Sequence, residues 1–440
     1  MKIFKIILFL LLSNSLLAAA QWRKYETDAT ALHRSQKAVS DIIVHDVFSP
    51  PVASRIFAYA NIAAYEIQVR QNERFQSLNA IVKGFNKIPV PADSVNLSYS
   101  LSATVAYLKV AAKLVFSEEM IRDSTANILK WYASKGYPEH IVQNSIIYGQ
   151  IVADSIIAFS LKDSYLDTRR MRRYSYIKKE GNWRPTPPGY MAAVEPNWHK
   201  IKPLIMDKPD QFKPLPPVPY STEKNSDFYK TANEVYLSVK NITDDQLLIA
   251  NFWDCNPFHL NTRGHLNFAT KKISPGAHWL SIAGIATRSK NADLMTASAA
   301  YTYTSIALFD AFISCWDEKY RSNYIRPETF INSHIDESWK PILQTPPFPE
   351  YPSGHSVAST AAASILTALL GDDFTFNDNT EIDYGLPVRK FNSFNEAANE
   401  AAISRLYGGI HYREAIVNGQ TQGKALGEFI KAKLKIDSLQ

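Results

Sequence analysis

Hydrophobic residues recur at spacings of three and four along most of the chain, which is the period of an amphipathic helix. Alternation of apolar and polar residues is too rare to build a sheet, and alanine and leucine stand where a sheet would favour β-branched residues. We therefore expect an all-α fold made of helical bundles. The predicted helices lie within 30–48, 51–69, 100–116, 139–161, 226–240, 243–255, 291–320, 353–371 and 396–434.

Two of these predicted helices have marked ends. The helix over 291–320 begins after a capping residue, Asn291 or Asp293, and must end before Arg326, because a residue that precedes proline avoids the helical region. The closing helix over 396–434 contains Gly408 and Gly409, where we expect a bend.

A long proline-rich connector interrupts the helical pattern at 181–221, where NWRPTPPGY and DQFKPLPPVPYST cannot sustain a helix. A connection of this length is expected to pack on the surface or to line a cleft. It divides the chain into an N-terminal helical half, 21–180, and a C-terminal helical half, 222–440.

The first twenty residues, MKIFKIILFLLLSNSLLAAA, have the lysine-bearing start, short apolar centre and small final residues of a secretory signal peptide. No later segment reaches the length of about 18 uninterrupted apolar residues that indicates a membrane span. We expect cleavage after residue 20 and a mature chain that is secreted or periplasmic.

Composition adds limits to this picture. The chain has 440 residues, of which 46% are hydrophobic, so it can form a large core, and its formal charge of +6 is small for this size. The one dense basic run, 167–180, fits a solvated loop, and no nucleic-acid motif surrounds it. Cys255 and Cys315 could form a disulfide, although burial as free thiols is the ordinary alternative.

Three segments of the C-terminal half concentrate groups that bind an oxyanion: KYRSNYIRP at 319–327, PSGH at 352–355 and SRLYGGIH at 404–411. Arginine presents a planar fork that fits an oxyanion in two-point contact. Gly354 lets its backbone N–H approach a ligand closely, and the helix that starts there points its free N–H groups at the same place. The histidines add a proton donor and a nucleophile or ligand.

The pattern K-x6-RP, then PSGH, then SR-x5-H, resembles the three-part signature of the superfamily of type 2 phosphatidic acid phosphatases and vanadium haloperoxidases. The resemblance covers residues 319–411 and implies a helical bundle with the site in its core. It also implies a set of residues that bind the oxygens of phosphate or vanadate, namely Lys319, Arg326, Ser353, Gly354 and Arg405. His411 would be the phosphate-attacking nucleophile or the axial vanadium ligand, and His355 the general acid–base group. In a haloperoxidase Lys319 would also activate the bound hydrogen peroxide.

One position departs from the family pattern. The third motif commonly has an aspartate four residues after the histidine, where this chain has Ala415. That aspartate is thought to orient the histidine, so its loss puts the efficiency of His411 in doubt. Glu414 is adjacent but lies about 100° round the helix, which makes it a weak substitute.

Two aromatic residues favour the haloperoxidase. Trp316 precedes Lys319 by three residues on the same helix face, and Phe348 precedes Pro352 by four. Both placements are similar to those of vanadium chloroperoxidases, where such rings shape an apolar halide pocket, whereas ordinary core packing is the alternative. The favoured reading is an exported enzyme that uses vanadate, hydrogen peroxide and a halide.

Two other functions stay open on the same site. One is a soluble acid phosphatase that hydrolyses phosphate esters through a phosphohistidine and needs no cofactor. The other is a non-catalytic oxyanion-binding protein, which the alanine at 415 would favour. The identity of the halide, the organic acceptor and the oligomeric state are left open.

A second cluster of polar residues lies upstream, within 252–279. It contains Asp254, His259, His265 and His278. A separate metal site is conceivable, but the spacing matches no structural zinc pattern. Loop histidines, or a wall of the oxyanion pocket, are the preferred interpretations.

Overall fold

A computed structural model describes residues 21–263 and 266–439, with the side chains of 261–269, 438 and 439 excluded. The predicted signal peptide and His265 lie outside the described residues. The rest is mostly helical, which confirms the all-α class. The helices are α1 (Thr30–His45), α2 (Pro50–Gln68), α3 (Tyr99–Leu114), α4 (Glu118–Ser134), α5 (Glu139–Ser160), α6 (Tyr165–Arg170), α7 (Asp227–Lys240), α8 (Asp244–Phe252), α9 (Pro275–Ser289), α10 (Leu294–Ser322), α11 (Pro327–His334), α12 (Gly354–Leu370), α13 (Phe394–Tyr407) and α14 (Arg413–Lys433). Short 3₁₀ turns cover Gln21–Tyr25, Val69–Gln71, Leu78–Ala80, Trp198–Lys200, Ile382–Tyr384 and Ile436–Leu439.

Helix α10 is the central element of the fold. It begins where Asp293 accepts a hydrogen bond from the backbone N–H of Thr296 at 2.8 Å, so Asp293 is the capping residue. It ends at Asn323, whose left-handed backbone turns the chain toward α11. One side of α10 packs against α2 from the N-terminal half, and another packs against α12. One hydrophobic core therefore runs through both halves of the chain.

Helix α14 lies unusually close to α12 because glycines face the contact. A Cβ atom at Gly419 would lie 2.9 Å from Ser356 Cβ and 3.0 Å from the carbonyl oxygen of Ser353. Such contacts are too short for any larger residue without a shift of one helix. The glycine face therefore fixes the start of α14 against the start of α12, where two of the sequence motifs lie.

The predicted closing helix is two helices. It breaks between α13 and α14 at Gly408–Tyr412, and Gly409 has a φ of +76°, which L side chains rarely adopt. The bend expected at the two glycines is thus a full interruption.

Two short hairpins were not predicted from the sequence. Strand β1 (His259–Arg263) pairs with β2 (Leu266–Thr270), and β3 (Phe376–Asp378) pairs with β4 (Arg389–Phe391), both antiparallel. Strands of three to five residues carry too little alternation to be recognised among helical patterns.

The proline-rich connector contains one turn of 3₁₀ helix and is otherwise irregular. Part of it is held by Asp310 of α10, whose carboxylate accepts from the backbone N–H groups of Leu204, Ile205 and Met206 at 2.8–2.9 Å. Burial raises the pKa of Asp310 to about 6, against the opposing effect of these three hydrogen bonds. The same connector brings Val194 to the wall of the cavity described below.

Among the described helices, α5 is long and apolar enough to cross a membrane, with a mean hydropathy of 1.2 in its most apolar window. A core helix of a soluble protein can be equally long and apolar, and α5 packs along α3 inside the N-terminal half. This is weak support for a membrane span.

Candidate active site

The first motif places two buried cations between α10 and α11. Lys319 lies in the last turns of α10, and Arg326 directly precedes the first turn of α11. Both residues are 0% exposed. Arg326 donates from Nε to the carbonyl oxygen of Phe348 at 2.9 Å and from Nη1 to that of Ile410 at 2.8 Å. Within the described part of the chain its Nη2 has no hydrogen-bond partner, which leaves a buried donor for a ligand.

Lys319 donates to three backbone carbonyls. Its Nζ lies 3.0 Å from the oxygens of Pro349 and Glu350 and 2.5 Å from that of Pro352. Three acceptors match the three N–H groups of an ammonium ion. Burial nevertheless lowers the pKa of Lys319 to about 7, and the positive charge of Arg326 adds to this effect. The charge of Lys319 is therefore sensitive to pH near neutrality.

The second motif forms the start of α12. Ser353 caps the helix, and its Oγ accepts from the backbone N–H of Ser356 at 3.3 Å, so the hydroxyl proton is free to be donated elsewhere. The N–H groups of Gly354 and His355 lie in the first turn, where an α-helix supplies no partner. A Cβ atom on Gly354 would meet its nearest protein atom, Trp316 Cζ3, at 3.5 Å, which is an ordinary contact. The protein itself would thus accept alanine at 354, and the space that glycine leaves open faces the cavity.

The third motif contributes Arg405 from α13. Its Nη1 donates to the carbonyl oxygen of Trp253 and lies 3.2 Å from His355 Nε2, which accepts because arginine has no acceptor. Burial, and then the charge of Arg405, hold the pKa of His355 well below its usual range. His355 is therefore a neutral imidazole in this arrangement. Arg405 Nε is a further buried donor without a partner among the described residues.

His411, which follows α13, is held by a carboxylate that the sequence reading did not identify. His411 Nδ1 lies 2.8 Å from Glu350 Oε1, and the same oxygen accepts from the backbone N–H of Tyr412 at 2.9 Å. Since Arg326 Nη1 donates toward His411 Nε2 at 3.2 Å, the ring proton belongs on Nδ1. His411 thus presents an unshared electron pair on Nε2 next to a guanidinium group.

The electrostatics of this pair agree with its geometry. Burial, followed by the charges of Arg326 and Lys319, holds the pKa of His411 well below its usual range, so the ring is neutral. Burial raises the pKa of Glu350 to about 8, although the same two cations oppose that rise. A neutral histidine surrounded by cations suits a ligand that is an anion.

These groups surround the inner end of a cavity of about 330 Å³. Gly354, His355, Arg405 and His411 line it, whereas Lys319, Arg326 and Ser353 lie directly behind them. The predicted halide-pocket residues also line it: the rings of Trp316 and Phe348 are 5.0 Å apart, and Lys319 Nζ and Arg326 Cζ each lie 5.0 Å from the Phe348 ring centre. The site thus combines cationic groups with an apolar, aromatic lining.

Comparison with known proteins identifies the family. A family model described as the VCPO second helical-bundle domain matches residues 299–436. The solved structure of a bacterial vanadium-dependent iodoperoxidase is similar, with 49% sequence identity, a TM-score of 0.87, and coverage of 92% of this chain and 96% of that one. The chain belongs to the vanadium-dependent haloperoxidases. It is therefore an enzyme with peroxidase activity on small molecules.

More distant vanadium haloperoxidases share the fold. The holo-type structure of a bacterial vanadium-dependent chloroperoxidase is 14% identical, with a TM-score of 0.63 and coverage of 90% of this haloperoxidase and 96% of that chain. Its apo-type structure is 15% identical, with a TM-score of 0.64 and coverage of 89% and 95%. No curated protein sequence matches this haloperoxidase significantly.

The missing family aspartate has a structural answer in this haloperoxidase. Ala415 is buried, and the carboxylate that faces His411 Nδ1 comes instead from Glu350. Glu414 accepts from the backbone N–H of Val218 at 3.1 Å, so it is engaged elsewhere. The one hint in the sequence was a glutamate among the prolines and aromatic residues of PPFPEYP, a setting in which a solvated carboxylate is unusual.

The upstream cluster does not act as one unit. Asp254 lines the cavity and pairs with Lys272 at 2.9 Å, so it forms part of the wall. His259 lies in β1, and His278 is fully buried in α9. Cys255 and Cys315 are both buried free thiols, so the disulfide that the sequence left open is absent.

Proposed function

We propose that this haloperoxidase holds vanadate at His411 and uses hydrogen peroxide to oxidise iodide. The observation that carries the proposal is the neutral His411, whose Nε2 lone pair points into a buried cluster of cations while Glu350 fixes its Nδ1 proton. A nitrogen ligand of this kind, oriented by a carboxylate on its other side, is typical of metal-binding histidines.

The described residues fit an oxyanion of this size. Two buried donors, Arg326 Nη2 and Arg405 Nε, have no partner among the described residues, and a ligand in the cavity would satisfy them. The hydroxyl of Ser353 and the first-turn N–H groups of α12 add donors from the other side. Lys319 contributes its charge from behind this layer. The donor set is cationic and without a carboxylate directed at the lone pair of His411, as an anion requires.

When bound, vanadate would supply a Lewis acid that makes hydrogen peroxide an oxidant for halide. The residues of the chain do the rest. His355, neutral and hydrogen-bonded through Nε2 to Arg405, lines the same cavity and is the candidate acid–base group there. Lys319 and Arg326 stabilise negative charge in a region without solvent, where electrostatic interactions are strong.

The cavity lining supports iodide as the halide. Aromatic and proline side chains dominate it, among them Phe258, Phe312, Trp316, Pro347 and Phe348. An anion that enters such a lining must lose hydration, and the free-energy cost falls as the ion becomes larger. Iodide is therefore the halide that this lining excludes least. The similarity to an iodoperoxidase points the same way.

The non-catalytic alternative loses its main support. It depended on the absence of a residue to orient His411, and Glu350 occupies that role in the structure. A phosphatase would use the same histidine, and it is tested directly as a competing outcome.

The experiment uses full-length purified protein that has been freed of metal and reloaded with orthovanadate. We expect triiodide to form only with vanadate and hydrogen peroxide together, with slower bromination of a dye. His411→Ala should abolish the reaction, whereas His334→Ala, at the end of α11, should leave it unchanged. Hydrolysis of an aryl phosphate that vanadate inhibits, without halide oxidation, would show that the enzyme acts as a phosphatase.

We also propose that the enzyme is exported, on the basis of the signal-peptide pattern in residues 1–20. Fractionation of cells that express the full chain, followed by N-terminal sequencing, tests this. The mature protein should begin at Gln21; recovery of the intact N-terminus from the cytoplasm would contradict the proposal.

A further inference from the structure

A second group of buried polar side chains lies beside the oxyanion site. It brings together Cys255 from the loop after α8, His278 from α9, and Asp378 and Glu381 from the β3–β4 hairpin. Cys255 is 3% exposed, Glu381 1%, and the other two 0%. Three segments that are far apart in the sequence thus place a thiol, an imidazole and two carboxylates in one buried cluster beside the cavity.

The imidazole of His278 is fixed from one side. Its Nε2 lies 2.8 Å from Asp378 Oδ2, and Thr380 Oγ1 donates to the other oxygen of that carboxylate at 2.7 Å. On the opposite side, Nδ1 lies 3.5 Å from Cys255 Sγ and 3.2 Å from Glu381 Oε1. A metal-binding histidine usually has one ring nitrogen hydrogen-bonded to a carboxylate, while its second nitrogen faces the other ligand atoms.

A cation is needed between Nδ1 and Glu381. The lone pair of a neutral imidazole and a carboxylate repel each other when both are buried, unless a proton or a metal ion lies between them. Within the described part of the chain, neither oxygen of Glu381 makes a hydrogen bond; the 3.2 Å approach to Nδ1 is an ion-pair distance with poor alignment. Two buried carboxylate oxygens directed at this space are therefore left for a ligand.

The distances between the three ligand atoms fit a metal ion. For a tetrahedral zinc ion, a thiolate sulfur and an imidazole nitrogen should lie about 3.6 Å apart, and a nitrogen and a carboxylate oxygen about 3.3 Å apart. The observed separations are 3.5 Å and 3.2 Å. The three ligand atoms all lie within 4.8 Å of one another. The alternative is a proton on Nδ1, shared between Glu381 and the Cys255 sulfur, and the experiment below separates the two.

We propose that Cys255 Sγ, His278 Nδ1 and Glu381 form a binding site for a divalent zinc-type ion, with Asp378 orienting the histidine. Binding releases the thiol proton of Cys255 and leaves one coordination position for water. The site is separate from the proposed vanadate site. The zinc site acts on the vanadate site through Trp253, which lies two residues before Cys255. The carbonyl oxygen of Trp253 accepts from Arg405. Cys255 also lines the cavity, so metal coordination shields its sulfur from the peroxide used there.

The test measures metal content in full-length protein that is stripped with a chelator, kept free of vanadate and incubated with Zn²⁺. Elemental analysis should find about one zinc per chain. Replacement by Co²⁺ should give the near-ultraviolet charge-transfer band of a cobalt–thiolate bond. Cys255→Ser should remove this band and lower zinc content at least 10-fold, and Glu381→Gln should weaken zinc binding by a similar factor.

Cys315→Ser is the matched control. Cys315 is also a buried free thiol, but its sulfur lies 3.9 Å from the carbonyl oxygen of Pro352, away from the cluster. This variant should bind zinc as the wild type does. Absence of zinc from the wild type, or equal zinc content in all variants, would overturn the proposal and assign the cation to a proton on His278.

Folding is checked separately. If Cys255→Ser does not fold, the zinc binding of Glu381→Gln decides whether the site exists, because this variant keeps the shape of the side chain. The melting temperature of the wild type should rise with added Zn²⁺ and fall with chelator, and Glu381→Gln should lose this dependence. A zinc effect that persists in Glu381→Gln would contradict the site. None of these readouts depends on peroxidase activity, so failure of the zinc site and failure of the proposed function are distinguishable.

Discussion

Glu350 holds His411 by a hydrogen bond of 2.8 Å across 61 residues of sequence. The carboxylate oxygen also accepts from the backbone N–H of Tyr412, so it fixes both the ring and the chain that carries it. This contact sets the tautomer of His411 and leaves the lone pair of Nε2 facing Arg326.

Glu350→Gln should weaken vanadate binding by about 10- to 100-fold, the usual effect of removing a group that orients a metal ligand. The amide keeps the size of the side chain but replaces the carboxyl group by a weaker acceptor for Nδ1–H. Equilibrium dialysis with vanadate measures the change. Glu414→Gln is the control, since Glu414 contacts the backbone of Val218, and it should bind as the wild type does. Equal loss in both variants would show that Glu350 has no special role.

Oxyanion binding should weaken as the pH rises through about 7, the value to which burial lowers the pKa of Lys319. The sign follows because the protonated lysine attracts the anion and the neutral amine does not. Glu350 gains negative charge above a pKa of about 8, which acts in the same direction.

The dissociation constant of vanadate is measured for Lys319→Met and for the wild type at each pH. The ionisation of vanadate itself affects both constants equally, so it cancels in the ratio of the variant to the wild type. Loss of a hydrogen-bonded charge should weaken binding about 10- to 100-fold at pH 6. The ratio should approach 1 above pH 8. A ratio that stays constant with pH would mean that Lys319 does not titrate in this range.

Alanine at two glycines should have opposite consequences. Gly354→Ala should fold with an unchanged melting temperature, because the new Cβ meets Trp316 at 3.5 Å, but it should bind vanadate at least 10-fold more weakly since the methyl group enters the ligand space. Gly419→Ala should destabilise the fold by about 1–3 kcal/mol, because its Cβ would be forced against Ser353 and Ser356. Thermal unfolding and dialysis distinguish the two. A destabilised Gly354→Ala would show that this glycine serves packing.

Trp316→Phe should raise the KM for iodide by about 3- to 10-fold, which corresponds to an aromatic contact of ~0.5–1.5 kcal/mol. Vanadate affinity should change much less, since the ring belongs to the apolar lining of the cavity. Trp183→Phe is the control: Trp183 is equally buried, at 1%, but does not line the cavity. Steady-state assays over a range of iodide concentrations give the values. If both variants behave alike, Trp316 serves only core packing.

Local patterns explain what could be predicted. The helices follow from apolar spacing, and the cap of α10 was narrowed to Asn291 or Asp293, because each depends on residues that are neighbours in sequence. A bend was expected at Gly408 and Gly409, but the full break before α14 was not. The hairpins were missed since strands of three to five residues contain too few positions to show alternation. The motif residues were found because their spacing is specific.

The sequence by itself determined the helical class, the identity of the cationic groups and the histidine that they surround. The tertiary structure decided which carboxylate orients that histidine, where Lys319 directs its protons, and that Cys255 meets His278 and Glu381. These contacts join segments separated by many residues, and a carboxylate in an irregular proline-rich loop has no periodicity that would reveal its direction. Helices depend on the spacing of residues that are close in sequence, whereas a buried charged group contacts its partner only after the chain has folded.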